Sequence, residues 1–299
     1  MILPINNPLI RRYSELGCEC KNSIIPKKSL RINSLKISEE ELVKRLTNLN
    51  VKLEKIHYLN DGYFYEADFS LSSTTEYLQG YFYIQESASQ LPALSLNPLP
   101  NELVLDMCAS PGSKTTQIAQ LMKNTGTIIA IDIDSRRLMS LRNNLERCGI
   151  INTLVIKKDS RFIFDLGMQF DKILLDAPCS GNYAIEEEFF QKKSIPGIQE
   201  RSRIQKELLK AAEKSLKKDG IIIYSTCSLE PEENELNINW FLKKFPNMTL
   251  EDTGLSIGDE GLTTIFKEKL DKRISLCKRL WPEKTKTQGF FIAKLRKIK

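Results

Sequence analysis

Two cysteines stand in polar turns, each directly behind a run of apolar residues. Cys179 follows FDKILL in the segment DAPCSG, and Cys227 follows GIIIY in STCS, forty-eight positions later. A cysteine is a nucleophile only as the thiolate, and a free thiol titrates near about 8.5, so a working cysteine needs a helix N-terminus or a cation beside it. Buried cysteine is ordinarily a small hydrophobe, which is the reading for Cys108 and Cys148, while Cys18, Cys20 and Cys277 take no role. Seven cysteines are an odd number in a chain of this length, so free thiols are expected rather than a disulfide framework. The single histidine, His57, and the one-residue spacing of Cys18 and Cys20 argue against a zinc site. One histidine also argues against Ser-His-Asp and Cys-His chemistry, which leaves Cys, Asp, Glu, Lys and Tyr to carry any catalysis.

Acids close successive apolar runs: Asp106 ends ELVLD, Asp132 ends GTIIAID, Asp159 follows NTLVIKK and Asp176 ends FDKILLD. Between the first two lies MCASPGSKTT, where Gly112 would let the backbone pass close to a ligand ahead of a helix N-terminus. A phosphate loop would need glycine directly before Lys114, and the chain has Ser113 there. The dinucleotide fingerprint G-x-G-x-x-G is missing too, although Asp132 stands twenty residues past Gly112, where a ribose-binding acid belongs. S-adenosylmethionine carries a ribose, an adenine and a sulfonium cation but no phosphate, and suits this series: Asp132 for the ribose, Asp159 for the adenine side, Asp176 at the next strand end. Capping of helices and turns is the competing use of such acids.

The elements that must position these groups divide the chain in two. Residues 1–80 read as a small α+β domain, with SLRINSL a strand, ISEEELVKRLTNL a helix capped by Ser38, and DGYFYEADF a turn into an aromatic strand. Residues 81–299 alternate apolar strands with helices: ELVLD, SKTTQIAQLMKN, GTIIAID, SRRLMSLRNNLERCG, NTLVIKK, FDKILLDAP, the long helix ERSRIQKELLKAAEKSLKKDG, GIIIYST and QGFFIAKL. Ile-, Leu- and Val-rich runs joined by helices require a sheet covered on both faces, so the second domain is expected to be a mostly parallel, doubly wound α/β fold. Ligands of such sheets bind beyond the carboxyl ends of the strands, and adjacent fourth and fifth strands would bring Cys179 and Cys227 to one cleft.

Hydrophobic residues make up 41% and charged residues 27%, with no apolar run long enough to cross a bilayer and no leader-like N-terminus, so a cytoplasmic protein is expected. The net charge is +6, and residues 267–299 hold twelve Lys or Arg against three acids. Such a segment attracts polyanions such as nucleic acid, or is simply a solvated lysine-rich surface.

Taken together, DMCASPGSKTT, DAPCSG and YSTCS resemble the RNA cytosine-C5 methyltransferases of the NOL1/NOP2/Sun type, and RIN at 31–33, YFYIQESAS at 81–89 and RLWPEKTKTQGFFIAKL extend the likeness over residues 30–298. Its compact length and the segments YLQGYFYIQESAS and DAPCSGN look most like the archaeal tRNA branch. The resemblance implies a Rossmann-like methyltransferase domain behind a small N-terminal domain, S-adenosylmethionine as cofactor and RNA as partner. It also implies that Cys227 attacks C6 of the base, that Asp176 hydrogen-bonds the N3 and N4 edge, and that Cys179 helps remove the C5 proton. Cys108, Ala109, Ser110, Pro111, Gly112, Ser113 and Lys114 carry over as cofactor contacts. Two positions depart from the family pattern: Ser113 and Tyr183 stand where glycine is common.

tRNA is the expected substrate, with rRNA or a non-catalytic RNA-binding role as alternatives and DNA less suited because its cytosine enzymes use a Pro-Cys nucleophile. RNA contact is expected from residues 1–80 and the basic C-terminus, with Arg31, Tyr81 and Phe82 as candidates, although core packing is the expected use of the two aromatics. Neither membrane nor metal is expected, and a monomer is.

Overall fold

The computed structural model describes residues 8–18, 25–186 and 188–299, so Cys20 lies outside the described residues. After α1 (Pro8–Glu15) comes a four-stranded antiparallel sheet of β1 (Ser29–Ile32), β2 (Lys52–Lys55), β3 (Gly62–Glu66) and β4 (Phe82–Ile84), in the order β2-β3-β1-β4. Between β1 and β2 runs α2 (Glu39–Asn48). Ser38 Oγ accepts the Glu41 N–H at 3.3 Å, three glutamates fill the first turn where the helix dipole favours them, and Leu42 and Leu46 face the sheet. The short α3 (Thr75–Leu78) leads into β4.

The larger sheet starts after α4 (Ser87–Leu96). β5 (Leu103–Asp106), α5 (Ser113–Leu121), β6 (Thr127–Asp132), α6 (Ser135–Cys148), β7 (Thr153–Lys157), β8 (Phe170–Asp176), α7 (Phe189–Lys192), α8 (Ile195–Lys214) and β9 (Leu216–Thr226) follow in sequence. These strands pair in parallel in the order β7-β6-β5-β8-β9. Side chains alternate across the sheet as the pleat demands. Ile173 and Leu175 pack with Leu208 and Leu209 of α8 on one face, and Leu174 packs with Ile118 of α5 and Leu91 of α4 on the other. Each such buried aliphatic side chain contributes about 1.5–3 kcal/mol.

Beyond α9 (Glu235–Lys244) come β10 (Met248–Glu251), β11 (Asp259–Glu260), the separate pair β12 (Thr264–Ile265) and β13 (Glu268–Lys269), then β14 (Lys278–Leu280), α10 (Pro282–Thr285) and β15 (Phe290–Lys297). β15 lies antiparallel against β9 and carries β14 and β10 on its outer side. The long helix differs from the reading above. It begins at Ile195, capped by Ser194, and ends at Lys214, because Leu216 is fully buried and pairs with Phe170 as the first residue of β9. No helix among the described residues is long and apolar enough to cross a membrane.

Arg31 is not a surface contact for RNA. It is 2% exposed, and its guanidinium donates to the Ser113 carbonyl at 2.8 Å, to Thr116 Oγ1 at 2.8 Å and to Gln85 Oε1, which ties β1 to the start of α5. Phe82 is fully buried as well, and Tyr81 lies under the Arg45 guanidinium. Burial pushes the Arg31 guanidinium down to about 10. Arg31→Ala is expected to lower unfolding stability by about 3 kcal/mol, because the acceptors it leaves are themselves buried; an unchanged denaturant midpoint would show that they find other donors.

Much of the basic C-terminal charge is also used internally. Arg273 pairs with Asp271, Arg279 with Glu235, Lys284 with Asp259, Arg296 with Glu251 and Lys297 with Glu213. Lys267, Lys269, Lys272, Lys286 and Lys299 remain exposed.

Candidate active site

Parallel pairing of β8 and β9 in the register Asp176↔Ser225 sends DAPCSG and STCS out from the same edge of the sheet. The sulfurs of Cys179 and Cys227 come to 2.8 Å, and both are free thiols, as are the other described cysteines. Asn182 Nδ2 reaches back to the Cys227 carbonyl at 2.7 Å and to the Gly289 carbonyl at 3.1 Å, so the two turns and the entrance to β15 are stitched together. Two sulfurs this close cannot both carry charge. The neighbouring Cys227 sulfur, burial and the carboxylate of Glu233 all push the Cys179 thiol up.

Beside them a cavity of about 240 Å³ opens at the carboxyl ends of β5 and β8, where the strand order reverses. Asp106, Cys108, Ala109, Ser110, Pro111, Ser113, Lys114, Asp176 and Cys227 all line it. The Lys114 ammonium donates to Asp176 Oδ2 at 2.7 Å and to Ser89 Oγ at 2.9 Å, and Ser225 Oγ donates to Asp176 Oδ1 at 2.7 Å. Asp176 is therefore oriented between the first turn of α5 and the end of β9. Cys108 is no second nucleophile, since burial and the carboxylates of Asp106, Asp176 and Asp132 push its thiol far up.

Gly112 has φ +103°, and a Cβ there would meet Leu141 Cδ1 at 2.8 Å, so this position needs glycine. Ser113, in contrast, is the first residue of α5 and lies outside the positive-φ region, which explains why a glycine is dispensable there. Tyr183 also lies outside that region, and its ring stacks on Phe190 and meets Tyr13 edge-on.

Asp132 and Asp159 do not line the cavity. Asp132 is 4% exposed and holds the loop from behind, accepting the Ser110 N–H at 3.3 Å and the Asp134 N–H at 3.0 Å. Asp159 caps the short helix Ser160–Leu166 and is chelated by Arg161, whose hydrogen bonds hold its carboxyl below the usual range. Ser89, Gln288 and Phe290 line the cavity without having been singled out. They lie in YFYIQESAS and TQGFF, segments noticed for likeness and not for chemistry.

The donor set fits S-adenosylmethionine. Asp106 Oδ1 and Ser110 Oγ are buried at the cavity wall without a hydrogen-bond partner, an acceptor and a hydroxyl that an amino-acid end could satisfy, and Asp176 supplies negative charge for a sulfonium. Asp106 is 1% exposed, with Thr115 Oγ1 donating to its other oxygen at 2.8 Å, and burial above all pushes its carboxyl up to about 7. A carboxyl raised in this way stabilises the fold in its neutral form, fully below about pH 4, and that stability drains away as pH rises toward about 7. Glu230, buried and likewise pushed up to about 7, acts with the same sign. Without cofactor, Asp106→Asn is expected to make the decline in melting temperature between these pH values shallower. A variant whose profile parallels the wild type would assign the slope elsewhere.

A doubly wound sheet with a cavity at its switch point, acids at the strand ends, Cys227 on the cavity wall and Cys179 against it defines the class: a Rossmann-like methyltransferase domain preceded by a small N-terminal domain. The chain belongs to the family described as 16S rRNA methyltransferase RsmB/F, whose model matches residues 93–296, and the model for the N-terminal domain of 16S rRNA methyltransferase RsmF matches residues 14–87. S-adenosylmethionine is the methyl donor of this family. The chain is 39% identical to the 25S rRNA (cytosine-C(5))-methyltransferase nop2 of Schizosaccharomyces pombe, over 90% of this chain and 46% of that protein. It is 40% identical to the tRNA (cytosine(72)-C(5))-methyltransferase of Pyrococcus horikoshii, over 77% of this chain and 56% of that one. It thus spans about half the length of these curated relatives. Among solved structures, a methyltransferase homolog protein from Pyrococcus horikoshii superposes with a TM-score of 0.84 at 40% identity, covering 96% of this chain and 90% of the other. NSun6 from the same organism, solved with the S-adenosylmethionine analogue sinefungin, superposes with a TM-score of 0.81 at 29% identity, covering 97% and 94%.

Proposed function

We propose that this chain methylates C5 of a cytosine in tRNA, through a covalent bond between Cys227 and C6 of the base. The observation that carries the reading is the pair of thiols at 2.8 Å, of which Cys227 lines the cavity that also holds the Lys114–Asp176 ion pair. C5 of cytosine is a poor nucleophile. Addition of the Cys227 thiolate at C6 turns the ring into an enamine whose C5 can accept an electrophile. When bound, S-adenosylmethionine supplies that electrophile as a sulfonium methyl group. Asp176, oriented by Lys114 and Ser225, hydrogen-bonds the N3 and N4 edge as charge develops. Cys179, after losing its own proton to solvent, takes the C5 proton; the C5–H electrons restore the C5–C6 double bond, the C6–S bond breaks and its electron pair returns to Cys227.

In this reading the 108–114 loop and Asp176 form the cofactor side, with Asp132 supporting the loop from behind. Residues 81–299 carry the chemistry and residues 1–80 with the exposed C-terminal lysines present the RNA. We place the protein in the cytoplasm as a monomer. The tRNA relative at 40% identity supports tRNA; the rRNA relative at 39% supports the same chemistry on rRNA as a second reading.

The deciding experiment offers the purified protein labelled S-adenosylmethionine with unmodified tRNA transcripts and, separately, rRNA fragments, and maps the product by bisulfite sequencing. Label at one cytosine C5 of tRNA is expected. Label confined to rRNA would move the substrate, and RNA binding without any transfer would sink the enzymatic reading.

A further inference from the structure

Glu233 is fully buried, six residues past Cys227, on a segment (228–235) none of whose side chains lines the cavity. Its two carboxylate oxygens take four donors. Ser180 offers both its N–H, at 3.1 Å, and its hydroxyl; Ser228 Oγ donates at 2.9 Å and Gln205 Nε2 at 2.7 Å. Ser180 directly follows Cys179, and Ser228 directly follows Cys227. One carboxylate therefore grips the residue next to each thiol, while Gln205 fixes it to α8 and also donates to the Pro178 carbonyl at 3.0 Å. The neighbouring Asn234 closes the second turn, accepting from Thr226 Oγ1 at 2.6 Å and donating to the Ser228 carbonyl at 2.8 Å.

Burying a charge is costly unless every lone pair is used, and here the donors come from both cysteine turns at once. A fold that only needed filling at this point could use an apolar side chain. We propose that Glu233 is a positioning residue that sets the separation and aim of Cys179 and Cys227, acting through Ser180 and Ser228. This rests on the reading of those thiols as the working pair. Glutamine in its place would keep the shape, but with its N–H₂ toward Ser180 Oγ and Ser228 Oγ both hydroxyls must turn round to accept, and four charge-assisted hydrogen bonds become neutral ones, so the common anchor of the two turns is weakened.

The test compares wild type, Glu233→Gln, Ser180→Ala/Ser228→Ala and the triple variant in two assays. The first measures the rate at which diamide oxidises Cys179 and Cys227 to a disulfide, read by mass spectrometry; the two thiols lose two electrons and two protons to the reagent. The second measures kcat and KM for methyl transfer to tRNA transcripts. Misplacing a reacting group by about 1 Å costs up to about 100-fold, so kcat is expected to fall at least about tenfold in Glu233→Gln with KM within about twofold. Disulfide formation is expected to slow several-fold. The triple variant should lie within about twofold of the double, since both changes cut the same ties.

An unchanged crosslinking rate, or effects that multiply in the triple variant, would overturn the proposal. So would faster crosslinking, which would mean that Glu233 acts only by its charge on Cys179. If Glu233→Gln does not fold, the serine pair reads the same ties with the carboxylate in place. A wild type that transfers no methyl group, yet crosslinks in a Glu233-dependent way, would overturn the proposed function and leave the positioning role standing.

Discussion

Cys179→Ala is expected to accumulate a covalent protein–RNA complex that survives denaturing electrophoresis, while Cys227→Ala yields neither complex nor product. The two sulfurs lie 2.8 Å apart, so both reach the same face of a base, and the variants separate their roles in time. Without Cys227 no bond to C6 forms, C5 stays unreactive, and turnover is expected to drop by about 1,000-fold or more. Without Cys179 the bond forms but the C5 proton has no acceptor, so the complex persists after methylation. Cys179 also meets the requirement for such a base. In the resting pair its thiol is pushed up by Cys227 above all, and that cause falls away once the Cys227 sulfur is bonded to C6, which frees Cys179 to act as a base. Radiolabelled RNA run on a denaturing gel distinguishes the cases. A complex trapped by Cys227→Ala in place of Cys179→Ala would exchange the two assignments; turnover by Cys227→Ala with no complex in either variant would remove the covalent mechanism.

The largest effect on stability is expected at Arg279. Its guanidinium donates from Nε to Glu235 Oε1 at 2.8 Å and from Nη2 to Oε2 at 2.5 Å, with both side chains at 0% exposure, and from Nη1 to the Leu229 carbonyl at 2.8 Å. The ring of Trp281 lies 4.7 Å below it. The pair joins β14 to the first turn of α9, next to the segment that carries Glu233. A buried ion pair contributes little net stability, because desolvating both charges offsets their attraction, but breaking it strands a charge. Arg279→Met is therefore expected to cost about 3–5 kcal/mol, and Arg279→Met/Glu235→Gln distinctly less, since no bare charge then remains. Urea unfolding of the two variants measures the difference. A double variant no more stable than the single would show that the loss lies in packing around Trp281 or in the Leu229 contact.

The contrast between Asp176 and its two sister acids shows how far sequence reading reaches. All three follow strands and read alike in one dimension. Asp176 turns into the cavity because Lys114 and Ser225 draw it there, whereas Asp132 is taken by the loop it supports and Asp159 by Arg161. Arg31 is a similar case: a cation in a strand of a small domain looks like a phosphate contact until its acceptors, Ser113 and Thr116, prove to lie more than eighty residues away on α5.

What the order of residues determined by itself is local or periodic. Apolar runs joined by amphipathic helices require a parallel sheet covered on both faces, Ser38 caps α2 through its own N-terminal turn, Gly112 meets a steric demand of its own backbone, and cysteines placed just past strand ends must emerge at one edge once those strands are neighbours. The tertiary structure alone decided which side chains turn inward and what they meet there. It brought Ser89, Gln288 and Phe290 to the cavity wall, spent much of the C-terminal charge on internal partners, and put Glu233 between the two thiol turns. These outcomes depend on side-chain direction and on partners distant in the chain, and neither quantity has a period that a linear pattern could reveal.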